Sequence, residues 1–425
     1  MISSPIPPTM RALVLEGTGF EHLQVKAVPT PRPGPQQLLG RVDAAGICTS
    51  LIKLIEQGPS HTYLYGWDIT RFPIILGDEG CVTLAEVGSE LAGRYRPGER
   101  YAIQPAVDIA PINHRERYRD GARGVQKLAV GYTLQGHLAE YILIGEEVIE
   151  AGCLLPLPDP TIPFAHAALA EPISCVISAQ DHHIHLAQPD PLAPRQVIHG
   201  LKPGGIVVIL GAGVMGRIHV DLAFRYKPKA VIVSDPIGER LEVTNRLFLE
   251  KACRMGVALI RHNPGESDLG AVVNQVSGGL GADDVIVAVG SARAIDSAQG
   301  LVGRGAVLDL FGGLKKGYDV VPMDTGIIHY RETNVTGSSG GSPWDVARTL
   351  ELMASGEVEA GAHITRIGDL EHAPDFLEMI KAQSLDGKAV VYPHRRSADI
   401  FQVPTWSAND EQAYLAGSTD ASVHR

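Results

Sequence analysis

Beyond residue 200 the apolar positions of the chain fall into a repeated order. GIVVIL (205–210) is a continuous apolar run, and VMGRIHVDLAFRY then spaces its apolar residues three and four apart. AVIVSD (230–235) is continuous again, and GERLEVTNRLFLEKACRMG is helical again. The alternation goes on through DDVIVAVG, SARAIDSAQGLV and GAVLDLFGG. Short apolar strands separated by helices build a parallel sheet covered on both faces, so a doubly wound α/β domain is predicted over residues 176–330. Upstream, over residues 1–175, short strands such as Ile74 to Leu76, Tyr101 to Gln104 and Glu140 to Leu143 are cut by Gly and Pro turns, with no long amphipathic helix. That pattern predicts an antiparallel, barrel-like domain. Residues 331–396 hold helical patterns at 344–355 and 373–382 and strand patterns in AHITRI and GKAVVYP, and are expected to return to the first domain. Residues 397–425 have no period and read as a tail, either docked or disordered.

Composition narrows the function. A chain of 425 residues exceeds the ~250 to 300 residues that one core supports, in line with two domains. With 37 basic against 48 acidic residues the net charge is -11, which repels nucleic acid and anionic lipid. No apolar run approaches the ~20 residues of a membrane-spanning helix, and the start lacks the layout of a signal peptide, so a cytoplasmic location is expected. The five cysteines are odd in number and form no CxxC pair, which speaks against a disulfide framework.

Gly211, Gly213 and Gly216, with Val214 and Met215 between them, form GAGVMG directly after a strand pattern and at the start of a helical one. Glycines there permit a tight turn and a close backbone approach to a pyrophosphate, and the helix N-terminus supplies free N–H groups. The next strand ends at Asp235, where a carboxylate can accept both ribose hydroxyls. Dinucleotide binding follows. An acidic Asp235 repels a 2′-phosphate and so favours NAD over NADP, although an Asp at this turn also suits a helix cap. Arg240 is placed either along the adenine ring or against a phosphate.

The segments Gly46-Ile47-Cys48-Thr49-Ser50, Gly77-Asp78-Glu79-Gly80 and Ala170-Glu171-Pro172, with PGERYAI, GHLAEY, LKPGG and LFGGL, resemble the zinc-dependent medium-chain alcohol dehydrogenases over residues 11–394. Glu171-Pro172 resembles the sorbitol dehydrogenase side of that family, and YAIQPAV, AEPISCV, TGSSGG and ITRIGDL look closer still to L-sorbose 1-phosphate reductases. The resemblance implies a GroES-like catalytic barrel joined to a Rossmann domain. It also implies one catalytic zinc with Cys48, Asp78, Glu79 and Glu171 as candidate ligands, and catalytic roles for Cys48, Ser50, Lys53 and Glu79. The implied substrate is a polyol, cyclitol or sugar phosphate, interconverted between secondary alcohol and ketone, and the implied assembly is a homodimer or homotetramer.

Two positions depart from the family pattern: Asp78 stands where the family has His, and Leu51 where it has Asp. The two are read as one change, because the family's Asp accepts the second N–H of the ligating His and a carboxylate ligand has none to place. The site is then either rebuilt or abandoned. The four-cysteine lobe that holds a structural zinc is absent, since residues 104–135 contain no Cys. Lys53 occupies the family's proton-relay position, as a relay, an anion contact or an exposed helix lysine. His182, His183 and His185 resemble a metal tract but are expected to be surface polar residues, while Cys81, Cys175 and Cys253 are expected to pack as small hydrophobes. His137 is expected on a strand near the cleft, and VLDLF at the sheet edge. The competing functions are a metal-free medium-chain reductase and a nucleotide-binding protein without turnover.

Overall fold

The computed structural model describes residues 5–108, 111–315 and 317–417. They divide into two compact units, one drawn from residues up to Ser174 and from Gly341 onward, the other running from Cys175 to Gly340.

The first unit is built on strands β1 (Leu38–Gly46) and β2 (Glu79–Val87), which pair antiparallel so that Gly46 faces Glu79. They lie inside a sheet ordered Leu154–Pro156, Arg100–Ile103, β2, β1, Lys388–Val391, Ile364–Gly368 and Phe401–Gln402, with Tyr141–Ile144 also on β1. One pair, Ile364–Gly368 with Lys388–Val391, is parallel where an antiparallel domain was expected. A short helix, α1 (Ser50–Gln57), which carries Lys53, leaves the end of β1 and turns Leu51, Leu54 and Ile55 into the core. There they join Leu13, Leu38, Ile142, Phe376 and Val391. Fully burying a Leu or Ile contributes roughly 1.5 to 3 kcal/mol, so this face alone fixes the helix. The unit also contains the start of α2 (Ala170–Asp181).

The C-terminal segment is docked as far as residue 417; residues 418–425 lie outside the described part. Trp406 is buried and donates its indole N–H to Tyr392 Oη at 2.8 Å. The buried Glu411 accepts the N–H groups of Phe164 and Ala165 at 2.6 and 2.8 Å and the Tyr392 hydroxyl at 2.7 Å. A carboxylate at the otherwise uncapped start of the helix Phe164–Ala168 is both hydrogen-bonded and favoured by the helix dipole.

The second unit opens with a hairpin, β3 (Ile184–Ala187) against β4 (Gln196–His199). Then follow β5 (Ile206–Leu210), α3 (Val214–Ala223), β6 (Ala230–Ser234), α4 (Gly238–Met255), β7 (Ala258–His262), β8 (Ala282–Val287), β9 (Val302–Asp309) and β10 (Asn334–Thr336). The six strands of its sheet, all parallel, run β7-β6-β5-β8-β9-β10. The order reverses between β5 and β8, which opens a crevice at the end of β5, where the glycine loop follows. VLDLF belongs to β9, which is paired on both sides, so the edge is β10 instead; because β10 joins this sheet, the chain leaves the unit at 340 rather than at the expected 330. Among the described residues no helix is long and apolar enough to cross a membrane.

Candidate active site and nucleotide loop

Strand pairing assembles the candidate metal cluster. Cys48 lies just past the end of β1 and Asp78 just before the start of β2, so the antiparallel register brings residues thirty apart to one end of the ladder. Cys48 Sγ and one carboxylate oxygen each from Asp78 and Glu79 all lie within 4.8 Å of one another. Gly77, at φ 109, makes the turn into this segment, and its space is bounded by the backbone of Leu138. A Cβ on Gly46 would stand 2.1 Å from Glu79 Oε2, so the glycine leaves room for that carboxylate.

Burial governs the charges here. Asp78 and Glu79 are buried, and desolvation raises both carboxyl pKa values. Cys48 is pushed up by burial and then by the Asp78 and Glu79 charges. Asp78 Oδ1 and Glu79 Oε2 have no hydrogen-bond partner. Orphaned buried carboxylate oxygens facing a thiol are costly unless a cation satisfies them, and one thiolate with carboxylates is a donor set that suits zinc. The residues therefore fit the group: Cys48, Asp78 and Glu79 would hold it. The other Asp78 oxygen accepts the Ser50 hydroxyl at 2.6 Å. Leu51, which stands at the family's Asp position, is fully buried in the core, so the second departure has become packing.

Lys388 was not anticipated. It opens the strand next to β1, is buried, donates to Glu79 Oε1, and lies 3.4 Å from the carbonyl of Ile47. Burial alone would lower its pKa, but the Glu79 and Cys48 charges reverse the direction and hold it protonated. The signal in the sequence was slight: one lysine ahead of the apolar run AVVY. Tyr132 was missed as well. It is buried edge-on to Tyr63 at 6.0 Å, and burial, then the Asp78 charge, raises its hydroxyl well above the ordinary range, with a Ser50 hydrogen bond opposing.

The remaining expected residues are placed less centrally. Glu171, in the first turn of α2, is outside the 4.8 Å group, and its charge acts on Cys48. Lys53 is exposed on α1, and its charge reaches His61. His137 is buried beside Gly77, in no strand, and burial lowers it to about 4.

In the second unit Gly211 has φ 107, Gly213 is the N-cap of α3 without a side-chain cap, and nothing lies within 4 Å of a Cβ built there. The amides of Val214 and Met215 begin the helix at that open end. A Cβ on Gly216 would meet the Gly211 carbonyl oxygen at 1.8 Å, which ties helix to strand. Asp235 is buried; Oδ2 accepts the Ala212 N–H and Oδ1 the Ile237 N–H, both at 2.8 Å. It thus fixes the glycine loop and the entry to α4 together. Arg240 Nη1 is 3.9 Å from Asp235 Oδ2, so it pairs with the carboxylate.

Two expectations about polar and sulfur residues are corrected. His183 and His185 are buried, not surface polar residues, because Asp284 in β8 and Asp309 in β9 draw them in; His182 is exposed. Cys253 is exposed on α4, while Cys81 is buried and Cys175 partly so. The helical period of α4 places Cys253 on its outer face.

Residues 34–159 match the alcohol dehydrogenase GroES-like domain family. The chain is 30% identical to protein YggP of Escherichia coli strain K12 over 86% of this chain and 83% of that protein. It is 29% identical to mannitol-1-phosphate 5-dehydrogenase of Aliivibrio fischeri over 88% of this chain and 85% of that protein. The structure of a zinc-binding dehydrogenase from Sinorhizobium meliloti bound to NADP superposes with a TM-score of 0.70 at 26% identity, covering 91% of this chain and all of that one. With a thiol and carboxylate cluster on a GroES-like barrel and a glycine loop on a doubly wound sheet, the chain belongs to the zinc-dependent medium-chain alcohol dehydrogenase family.

Proposed function

We propose that the protein interconverts a secondary alcohol and a ketone on a polyol or sugar phosphate, with NAD as the preferred cofactor and zinc held by Cys48, Asp78 and Glu79. The observation that carries the reading is the convergence of those three side chains with two unpartnered carboxylate oxygens. A zinc ion there would polarise the substrate oxygen, and the nicotinamide would exchange hydride with the carbon. The chain's own groups do the rest. Ser50, fixed on Asp78, is the hydroxyl that would take the alcohol proton, and Lys388 orients Glu79 and favours its ionised form against the effect of burial. Glu171 adds negative charge, and Lys53 on the exposed face of α1 is available to an anionic substrate group.

Phosphorylated substrates are favoured by the likeness to mannitol-1-phosphate 5-dehydrogenase and L-sorbose 1-phosphate reductase. NAD is favoured by Asp235, whose negative charge beside the glycine loop would repel a 2′-phosphate. The proposal includes a cytoplasmic homodimer or homotetramer, for which the one-sided edge β10 is the candidate contact. The test is a panel of free and phosphorylated polyols with NAD and NADP, following reduced cofactor. Turnover of at least one polyol supports the reading, and no turnover by a folded, zinc-loaded protein that binds NAD would favour the nucleotide-binding alternative.

A further inference from the structure

We propose that His183, His185 and Asp284 form a second metal site, distinct from the Cys48 cluster, for a divalent transition cation of the zinc type, with Asp309 holding His183 from behind. His183 Nδ1 and His185 Nε2 approach the same oxygen, Asp284 Oδ1, at 2.6 and 2.9 Å, and the three donor atoms lie within 4.8 Å of one another. His183, just before β3, and His185 within it are both buried, with Ile184 outward between them at 39% exposure. Asp284 is oriented through its second oxygen, which accepts the Lys202 N–H at 2.9 Å.

Asp309 supplies the independent observation. It is fully buried, no hydrogen bond ends on either of its oxygens, and Oδ2 faces His183 Nε2 at 3.6 Å. A carboxylate behind the outer nitrogen of an imidazole is the arrangement that orients a metal-binding histidine. The charge count is compatible: a divalent cation with both imidazoles neutral balances the two buried carboxylates. Two imidazoles and one carboxylate select a zinc-type ion over calcium or magnesium, which take oxygen ligands. Donors bound at ~2.0 to 2.1 Å in a tetrahedral site stand roughly 3.3 Å apart, so the contacts need open by only about 0.5 Å. The ion would fasten the β3–β4 hairpin to β8 and β9.

The experiment uses the full chain carrying Cys48→Ala, stripped with chelator and re-equilibrated with Co²⁺ or Zn²⁺. The expected result is about one bound cobalt per chain, visible absorption without a thiolate charge-transfer band, and a melting temperature raised by zinc. Adding His185→Gln should abolish all three, and Asp309→Asn should weaken zinc binding by about 10 to 100-fold. If His185→Gln fails to fold, the zinc-dependent melting of the Cys48→Ala protein and the Asp309→Asn affinity still decide. A Cys48→Ala protein that binds no cobalt and melts identically with zinc and with chelator would overturn the second site while leaving the proposed activity untouched. Conversely, a normal chain that keeps all its metal after Cys48→Ala but loses it with His185→Gln would support this site and remove the metal from the first.

Discussion

The glycine loop of the second unit and the thiol-carboxylate cluster of the first are both candidate sites for charged partners, built in opposite ways. The loop would bind through backbone: residues 211–216 turn, expose N–H groups and start a helix, held from the next strand by the Ser234 carbonyl and by Asp235. The cluster would bind through side chains gathered from residues 48, 78 to 79 and 388, which meet because β1 pairs with β2 on one side and with Lys388–Val391 on the other. A site made of local backbone tolerates change in most surrounding side chains but not at Gly211, with its positive φ, or at Gly216, whose Cβ would strike the Gly211 carbonyl. A site made of distant buried charges fails when any one charge loses its counterpart.

The sharpest way to break that contrast is Cys48→Ala, which should release one equivalent of metal and lower kcat/KM by about 10³-fold or more, the scale of several kcal/mol expected of a Lewis acid. Metal content and steady-state kinetics on the same preparation check it. Lys388→Met should destabilise the fold by about 3 kcal/mol, because Glu79 is left as an unpaired buried carboxylate, and Lys388→Met with Glu79→Gln should recover most of the loss. Denaturant melts of the three variants decide, and a Lys388→Met protein as stable as the parent would mean that Glu79 is not ionised. Gly216→Ala should cost about 2 kcal/mol and weaken NAD binding, since its Cβ overlaps the Gly211 carbonyl; calorimetric titration with NAD reads the effect. The smallest change is expected from Asp235→Ala, which should narrow the preference for NAD over NADP by about tenfold, or ~1.4 kcal/mol. An unchanged ratio would assign the choice to Arg240.

The same contrast explains what the sequence disclosed. The doubly wound sheet and its loop were legible because apolar period, glycines and Asp235 lie within one stretch of chain. Cys48, Asp78 and Glu79 were legible through the resemblance, since nothing in their spacing says that β1 and β2 pair at that end. Lys388 was not, because a lysine before an apolar strand looks the same whether its ammonium meets water or Glu79. His183 and His185 were misjudged for the same reason: their partners Asp284 and Asp309 belong to strands about a hundred or more residues away, and a histidine-rich connection without them reads as surface. The C-terminal segment lacked a period, yet Trp406 and Glu411 dock it by individual contacts that leave no periodic trace.

The central claim is that a metal on the Cys48, Asp78 and Glu79 cluster drives alcohol and ketone interconversion. Its most direct test follows NAD reduction by an accepted polyol or polyol phosphate before chelation, after removal of the metal, and after zinc is restored, in the unmodified protein and in Cys48→Ala. The account predicts activity that vanishes with the metal, returns with zinc, and is never recovered in Cys48→Ala. Turnover that persists at full rate in the metal-free protein would contradict it and assign the chemistry to a metal-free reductase.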